Sequence, residues 1–101
     1  MNFNDTQKIS YVSVIRDKLS QFSEIDRVVL FGSFVNSNDF NDIDIAIIQN
    51  SDENFLTLSL KYRKVLRELS KTIPLDIIPI NSNANGVFLE EINKGEVVYE
   101  R

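Results

Sequence analysis

Apolar positions along the chain alternate between helical and strand periods. Ile9, Val12, Ile15, Leu19 and Phe22 recur at steps of three and four. That stripe predicts a helix from about Thr6 to Phe22, with Asp5 as its N-cap. The Val-rich segment Arg27 to Phe31 reads as a first strand, stopped by Gly32. "DIDIAII", Asp42 to Ile48, alternates at first and then turns wholly apolar, as a central strand does. A second long helix is predicted from about Glu53 to Lys71, with Phe55, Leu58, Tyr62, Val65 and Leu69 facing inward. "PLDIIPI", Pro74 to Ile80, is the third strand. After the loop "NSNANG", a last helix is expected from Val87 to Lys94, with Gly95 as its C-cap. The tail "VVYE" reads as a short strand at the sheet edge.

The connections suggest a topology. The link from Phe31 to Asp42 is too short for a parallel crossover, so these two strands are expected to pair antiparallel. The link from Ile48 to Pro74 carries a whole helix and fits a right-handed parallel unit. The fold class is therefore α/β, an α+β sandwich with a small mixed β-sheet and flanking helices. No repeat or linker divides the 101 residues, and one domain over residues 1–101 is expected.

Composition narrows the chemistry. There is no cysteine and no histidine. Disulfides, thiolate metal sites, His-ligated zinc and Ser-His-Asp catalysis are excluded. An enzyme built from this chain must use carboxylates, hydroxyls, lysines or a bound metal. The formal charge of −4 argues against direct nucleic-acid binding, which calls for a basic patch. The one basic cluster, "KYRKVLR" at residues 61–67, reads first as a solvated helix face. The N-terminus lacks the pattern of a signal peptide, and no apolar run approaches membrane-span length. No membrane association is expected, and a cytoplasmic location is the default.

The unusual feature is acidic. Side chains alternate across a strand, so Asp42, Asp44 and Ala46 share one face of the second strand and Ile43, Ile45 and Ile47 the other. Two carboxylates one residue apart on a face repel strongly unless a cation lies between them. Asp76 is the only charge inside the third strand, which is expected beside the second. Paired and tripled carboxylates suit hard divalent ions, Mg²⁺ in particular, together with substrate phosphates. Taken singly, each residue has an ordinary reading: Asp42 as a turn residue, Asp44 facing solvent, Asp76 as an edge charge against aggregation. A calcium loop counted from Asp42 fails, because position six is Ile47 rather than Gly.

The order of these pieces is more specific than any one of them. An apolar strand runs into Gly32-Ser33, a polar spacer follows, then Asp-x-Asp in a second apolar strand and a lone Asp in a third. This resembles the DNA polymerase β-type nucleotidyltransferase superfamily. At this length it is most similar to the minimal nucleotidyltransferase (MNT) branch, often paired with HEPN toxins. The ending "LEEINKGEVVYE" is similar to that family's C-terminus. The resemblance implies a polymerase β-like nucleotidyltransferase core. It implies that Gly32 and Ser33 bind the nucleotide, and that Asp42, Asp44 and Asp76 are both catalytic and metal-binding. The implied cofactor is Mg²⁺ and the implied substrate a nucleoside triphosphate, ATP. The implied reaction moves AMP to a hydroxyl of a HEPN-type partner protein, in a toxin–antitoxin system.

The sequence departs from the family pattern after Gly-Ser. Arginines usual there are replaced by Phe34, Val35, Asn36 and Ser37. Lys61, Arg63, Lys64 and Arg67 are an alternative source of positive charge. The departure keeps open a module that neutralises a partner by contact, with weak or no catalysis. Modification of a small molecule ranks below both, because similar enzymes add a domain to hold the acceptor.

Overall fold

Alternating apolar residues in four short segments build one mixed sheet. The computed structural model describes residues 5–83, 92 and 94–101. Its elements are α1 (Asp5–Leu19), β1 (Ile25–Phe31), α2 (Ser33–Asn36), β2 (Ile43–Gln49), α3 (Phe55–Val65), α4 (Arg67–Ser70), β3 (Leu75–Asn81) and β4 (Glu96–Glu100). The strand order is β3-β2-β1-β4. β1 pairs antiparallel with β2, β1 antiparallel with β4, and β2 parallel with β3. Both expected pairings and the edge strand are found. The arrangement is α+β, as read from the pattern.

The two faces of the sheet are unequal. On one, Val28, Leu30, Ile43, Ile45, Ile47, Leu75 and Ile77 meet Ile15 and Leu19 of α1 and Leu58 and Tyr62 of α3. Each such side chain stabilises the fold by about 1.5–3 kcal/mol when fully buried. On the other face a smaller cluster forms from Val29, Ala46, Ile48 and Ile92, with Phe31 and Ile80 at its margin.

The helices differ from expectation in detail. Asp5 is already helical, and α1 ends at Leu19, where Phe22 turns back through an N–H bond to the Leu19 carbonyl. α1 is buried most deeply in its second half: Ile15 and Leu19 are fully buried, while Ile9 is 69% exposed. The second long helix is shorter than expected and is interrupted at Leu66, whose φ of −101° and ψ of 14° leave the helical region. Asn54 caps it, its side-chain oxygen accepting from Thr57 N–H at 2.8 Å. Phe55, expected inward, is 60% exposed. The helix expected over Val87 to Lys94 falls largely outside the described residues. No described helix is long and apolar enough to cross a membrane.

Candidate functional site

The register brings four strand ends to one end of the sheet. β1 finishes there at Phe31, opposite Asp44. β4 starts there, with Glu96 opposite Leu30. β2 and β3 both begin there, and their parallel register sets Asp44 directly beside Asp76. An Ile43 N–H bond to the Pro74 carbonyl, 3.0 Å long, opens that ladder. Asp42 immediately precedes β2 rather than lying in it.

One carboxylate oxygen from each of Asp42, Asp44 and Asp76 comes within 4.8 Å of the others. Asp42 and Asp44 are half-buried and Asp76 is exposed. Two full charges 4.8 Å apart repel by about 3.5 kcal/mol at an effective dielectric near 20. Asp44 registers the strain. Burial, then the charges of Asp42 and Asp76, then a hydrogen bond with Asp76 push its carboxyl up to about 6. Three converging hard oxygen donors that resist ionising together fit a small divalent cation of the Mg²⁺ type.

Gly32 shapes the same point from β1. Its φ of 78° and ψ of −156° belong to a region open essentially to glycine alone. A Cβ built there would lie 2.2 Å from the Oδ2 of Asp44. The glycine is needed twice, for backbone conformation and for room beside the carboxylate. Ser33 follows as the exposed first residue of α2.

The spacer is held by aromatics rather than by arginines. Phe34 and Phe40 are buried and meet edge to face, 4.7 Å between centroids. Lys8 of α1 lies 5.2 Å and 5.4 Å from their ring centres and donates to the Ser37 carbonyl at 2.7 Å. Phe34 thus anchors the loop between Ser33 and Asp42 where an arginine is usual.

The cations of α3 and α4 do not take over that charge. α3 packs on the face of Ile43 and Ile45, whereas Asp44 lies on the opposite face with Ala46. Lys61 is engaged elsewhere, 2.9 Å from Glu24 and 3.4 Å from Glu53. A cation that sequence reading missed is Lys94. With Phe31, Gly32, Val35, Asn36 and Gly95 it lines a cleft of ≈ 330 Å³ beside the glycine turn. Only the pairing of β4 with β1 brings it there, so spacing along the chain gave no sign of it.

Comparisons with known proteins agree with this geometry. Residues 13–101 match the sequence profile of the family described as Polymerase beta, Nucleotidyltransferase. No curated protein matches the chain in sequence. Among solved structures, a toxin–antitoxin with AMP-PNP is similar at TM-score 0.58 and 18% identity, over 97% of this chain and 75% of that one. The MntA-HepT toxin–antitoxin is similar at TM-score 0.54 and 15% identity, over 97% and 74%. A Sulfolobus solfataricus protein described as a candidate nucleotidyltransferase is similar at TM-score 0.57 and 17% identity, over 93% and 84%. At these identities the likeness is one of fold.

Proposed function

The chain belongs to the polymerase β nucleotidyltransferase family, and from that premise we propose that it is a Mg²⁺-dependent transferase moving AMP from ATP to a hydroxyl of a partner protein. The observation that carries this reading is the convergence of Asp42, Asp44 and Asp76 within 4.8 Å. The partner half rests on fold neighbours that are MntA-HepT pairs, and the nucleotide half on one that holds AMP-PNP. The role would then be that of an MNT antitoxin, silencing a HEPN-type toxin by modifying it.

The roles divide by position. Asp42 and Asp44 would hold Mg²⁺ and, with it, the triphosphate; Asp76 would share the ion. When bound, Mg²⁺ supplies charge neutralisation for the phosphates and for the oxygens gaining charge in the displacement. Gly32 lets the phosphates approach the backbone, and Ser33 offers them its hydroxyl. Lys94 supplies positive charge on the same side, where the family's arginines are missing. Asp76, exposed at the outer strand, faces the incoming hydroxyl and takes its proton as the new O–P bond forms. The bond from the α-phosphorus to the bridging oxygen breaks, and pyrophosphate leaves.

Incubation with the partner, α-labelled ATP and Mg²⁺ tests the proposal. Label is expected on the partner, and none with Asp42→Asn or Asp44→Asn. Transfer persisting in both variants overturns it. The replacement of the arginines by Phe34 and its neighbours favours a second reading, neutralisation by contact alone. Under that reading Asp42→Asn still protects cells from the toxin.

A further inference from the structure

The outer edge of β3 borders the acidic cluster, because Asp76 lies on that strand. Among the described residues β3 is an edge strand, paired only with β2. Leu60, Arg63, Lys64, Arg67, Leu75 and Ile77 line a groove of ≈ 300 Å³ between that edge and α3–α4. Its floor is apolar: Leu75 and Ile77 flank Asp76 on the same strand, and Leu60 stays 60% exposed. Its rim is basic. Arg63, Lys64 and Arg67 are exposed and form no ion pair among the described residues, unlike Lys61 and Lys71. Three cations without an ion pair among the described residues, on a chain of net charge −4, make a local inversion of sign.

We propose that this groove docks an acidic, partly apolar polypeptide segment and presents its hydroxyl, around the edge of β3, to Asp76. The inference rests on the transferase reading above. An edge strand offers free backbone donors and acceptors for an added extended segment. Pro79 has no N–H to give, which confines such pairing to the first half of β3, the half that holds Asp76. An apolar side chain enters between Leu60, Leu75 and Ile77, and acidic ones face the three cations. A polypeptide fits better than a nucleic acid, because the groove walls supply no aromatic ring on which a base could stack.

The probes are a random glutamate–tyrosine copolymer, a lysine–tyrosine copolymer and single-stranded poly(U). Binding is read by fluorescence anisotropy without nucleotide, and transfer by α-labelled ATP with Mg²⁺. The glutamate–tyrosine copolymer is expected to bind, at least tenfold more tightly than either other probe, and to take label. Reversal of Arg63, Lys64 and Arg67 to Glu is expected to weaken that binding at least tenfold and to abolish labelling. Binding of Mg²⁺–ATP stays unchanged, which also shows that the variant is folded. Asp76→Asn is expected to keep copolymer binding and lose labelling. Copolymer binding that survives the triple reversal, or poly(U) binding more tightly, overturns the proposal. Binding lost on reversal while the intact chain labels no acceptor supports the docking groove and counts against the transferase reading.

Discussion

Replacing Gly32 by alanine separates the stability of this fold from the chemistry of its site. The added Cβ meets two obstacles. The backbone conformation, φ 78° and ψ −156°, costs a non-glycine residue about 1–3 kcal/mol. The methyl also falls 2.2 Å from Asp44 Oδ2, and an ordinary contact of 3.4 Å requires that oxygen to retreat by about 1.2 Å. The obstructing atom is the end of a side chain, so the protein survives by moving it. The movement falls on one of the three oxygens that close on a single ion in the proposed site. Mg²⁺ holds its ligands near 2.0–2.1 Å with little tolerance, so a shift of this size is expected to weaken binding at least tenfold. Misplacement by about 1 Å costs on the order of a hundredfold in rate, which is the expected fall in transfer.

Gly95→Ala is the matched comparison. Its Cβ would lie 2.3 Å from the backbone oxygen of Leu30 and 2.9 Å from Val29, with none of the three aspartates among its nearest atoms. It is expected to lower stability by a similar 1–3 kcal/mol while leaving Mn²⁺ binding within about twofold of the parent. Denaturant melts and Mn²⁺ titration followed by electron paramagnetic resonance read both quantities on both variants. If Gly32→Ala melts early yet binds Mn²⁺ like the parent, the contact with Asp44 does not set the site and the argument fails.

Three further outcomes follow from the acidic cluster and its surroundings. Asp44→Asn removes like-charge repulsion, so without metal at pH 7 it is expected to melt higher by about 1 kcal/mol, and Mg²⁺ should no longer raise its Tm; a lower Tm contradicts the repulsion. For the metal-free parent, the fold keeps a proton on Asp44 up to about 6, whereas the unfolded chain releases it near 3.8. The folded state binds more protons in that window, so this group's contribution makes stability fall as pH rises from about 4 to 6 and then level off. Over pH 5 to 7 Mn²⁺ affinity should rise about tenfold as Asp44 ionises, and a flat calorimetric profile refutes the assignment. Tyr62→Phe removes a 2.9 Å bond to Glu24, which keeps its 2.9 Å pair with Lys61. A loss of about 1 kcal/mol with unchanged Mn²⁺ binding is expected in a denaturant melt.

What the sequence made legible was whatever a short-range period encodes. The alternation in "DIDIAII" separates Asp44 from Ile43 and Ile45, and the sheet uses that separation. Link lengths gave the antiparallel and parallel pairings correctly. The break at Leu66 was invisible because Tyr62, Leu66, Leu69 and Ile73 continue the apolar stripe across it, with no Gly or Pro to mark it. The exposure of Ile9 and Phe55 was equally hidden, since periodicity names a face and not how far along it a neighbour reaches. The contact between Gly32 and Asp44, and the approach of Lys94, join segments that only the sheet brings together.

The geometry of the acidic site is set by the core rather than by the aspartates themselves. Left alone, three carboxylates would separate. They converge because β2 and β3 pair with Ile43 opposite Leu75, Asp44 opposite Asp76 and Ile45 opposite Ile77. That register is fixed by the need to bury Ile43, Ile45, Leu75 and Ile77 under α1 and α3. A slip of one residue would turn Asp76 into the apolar layer and expose Ile77 in its place, at a cost of several kcal/mol. The hydrophobic face thus holds the charged face together, and a core substitution at Ile77 or Leu75 that loosens the β2–β3 pairing should weaken metal binding without touching a ligand.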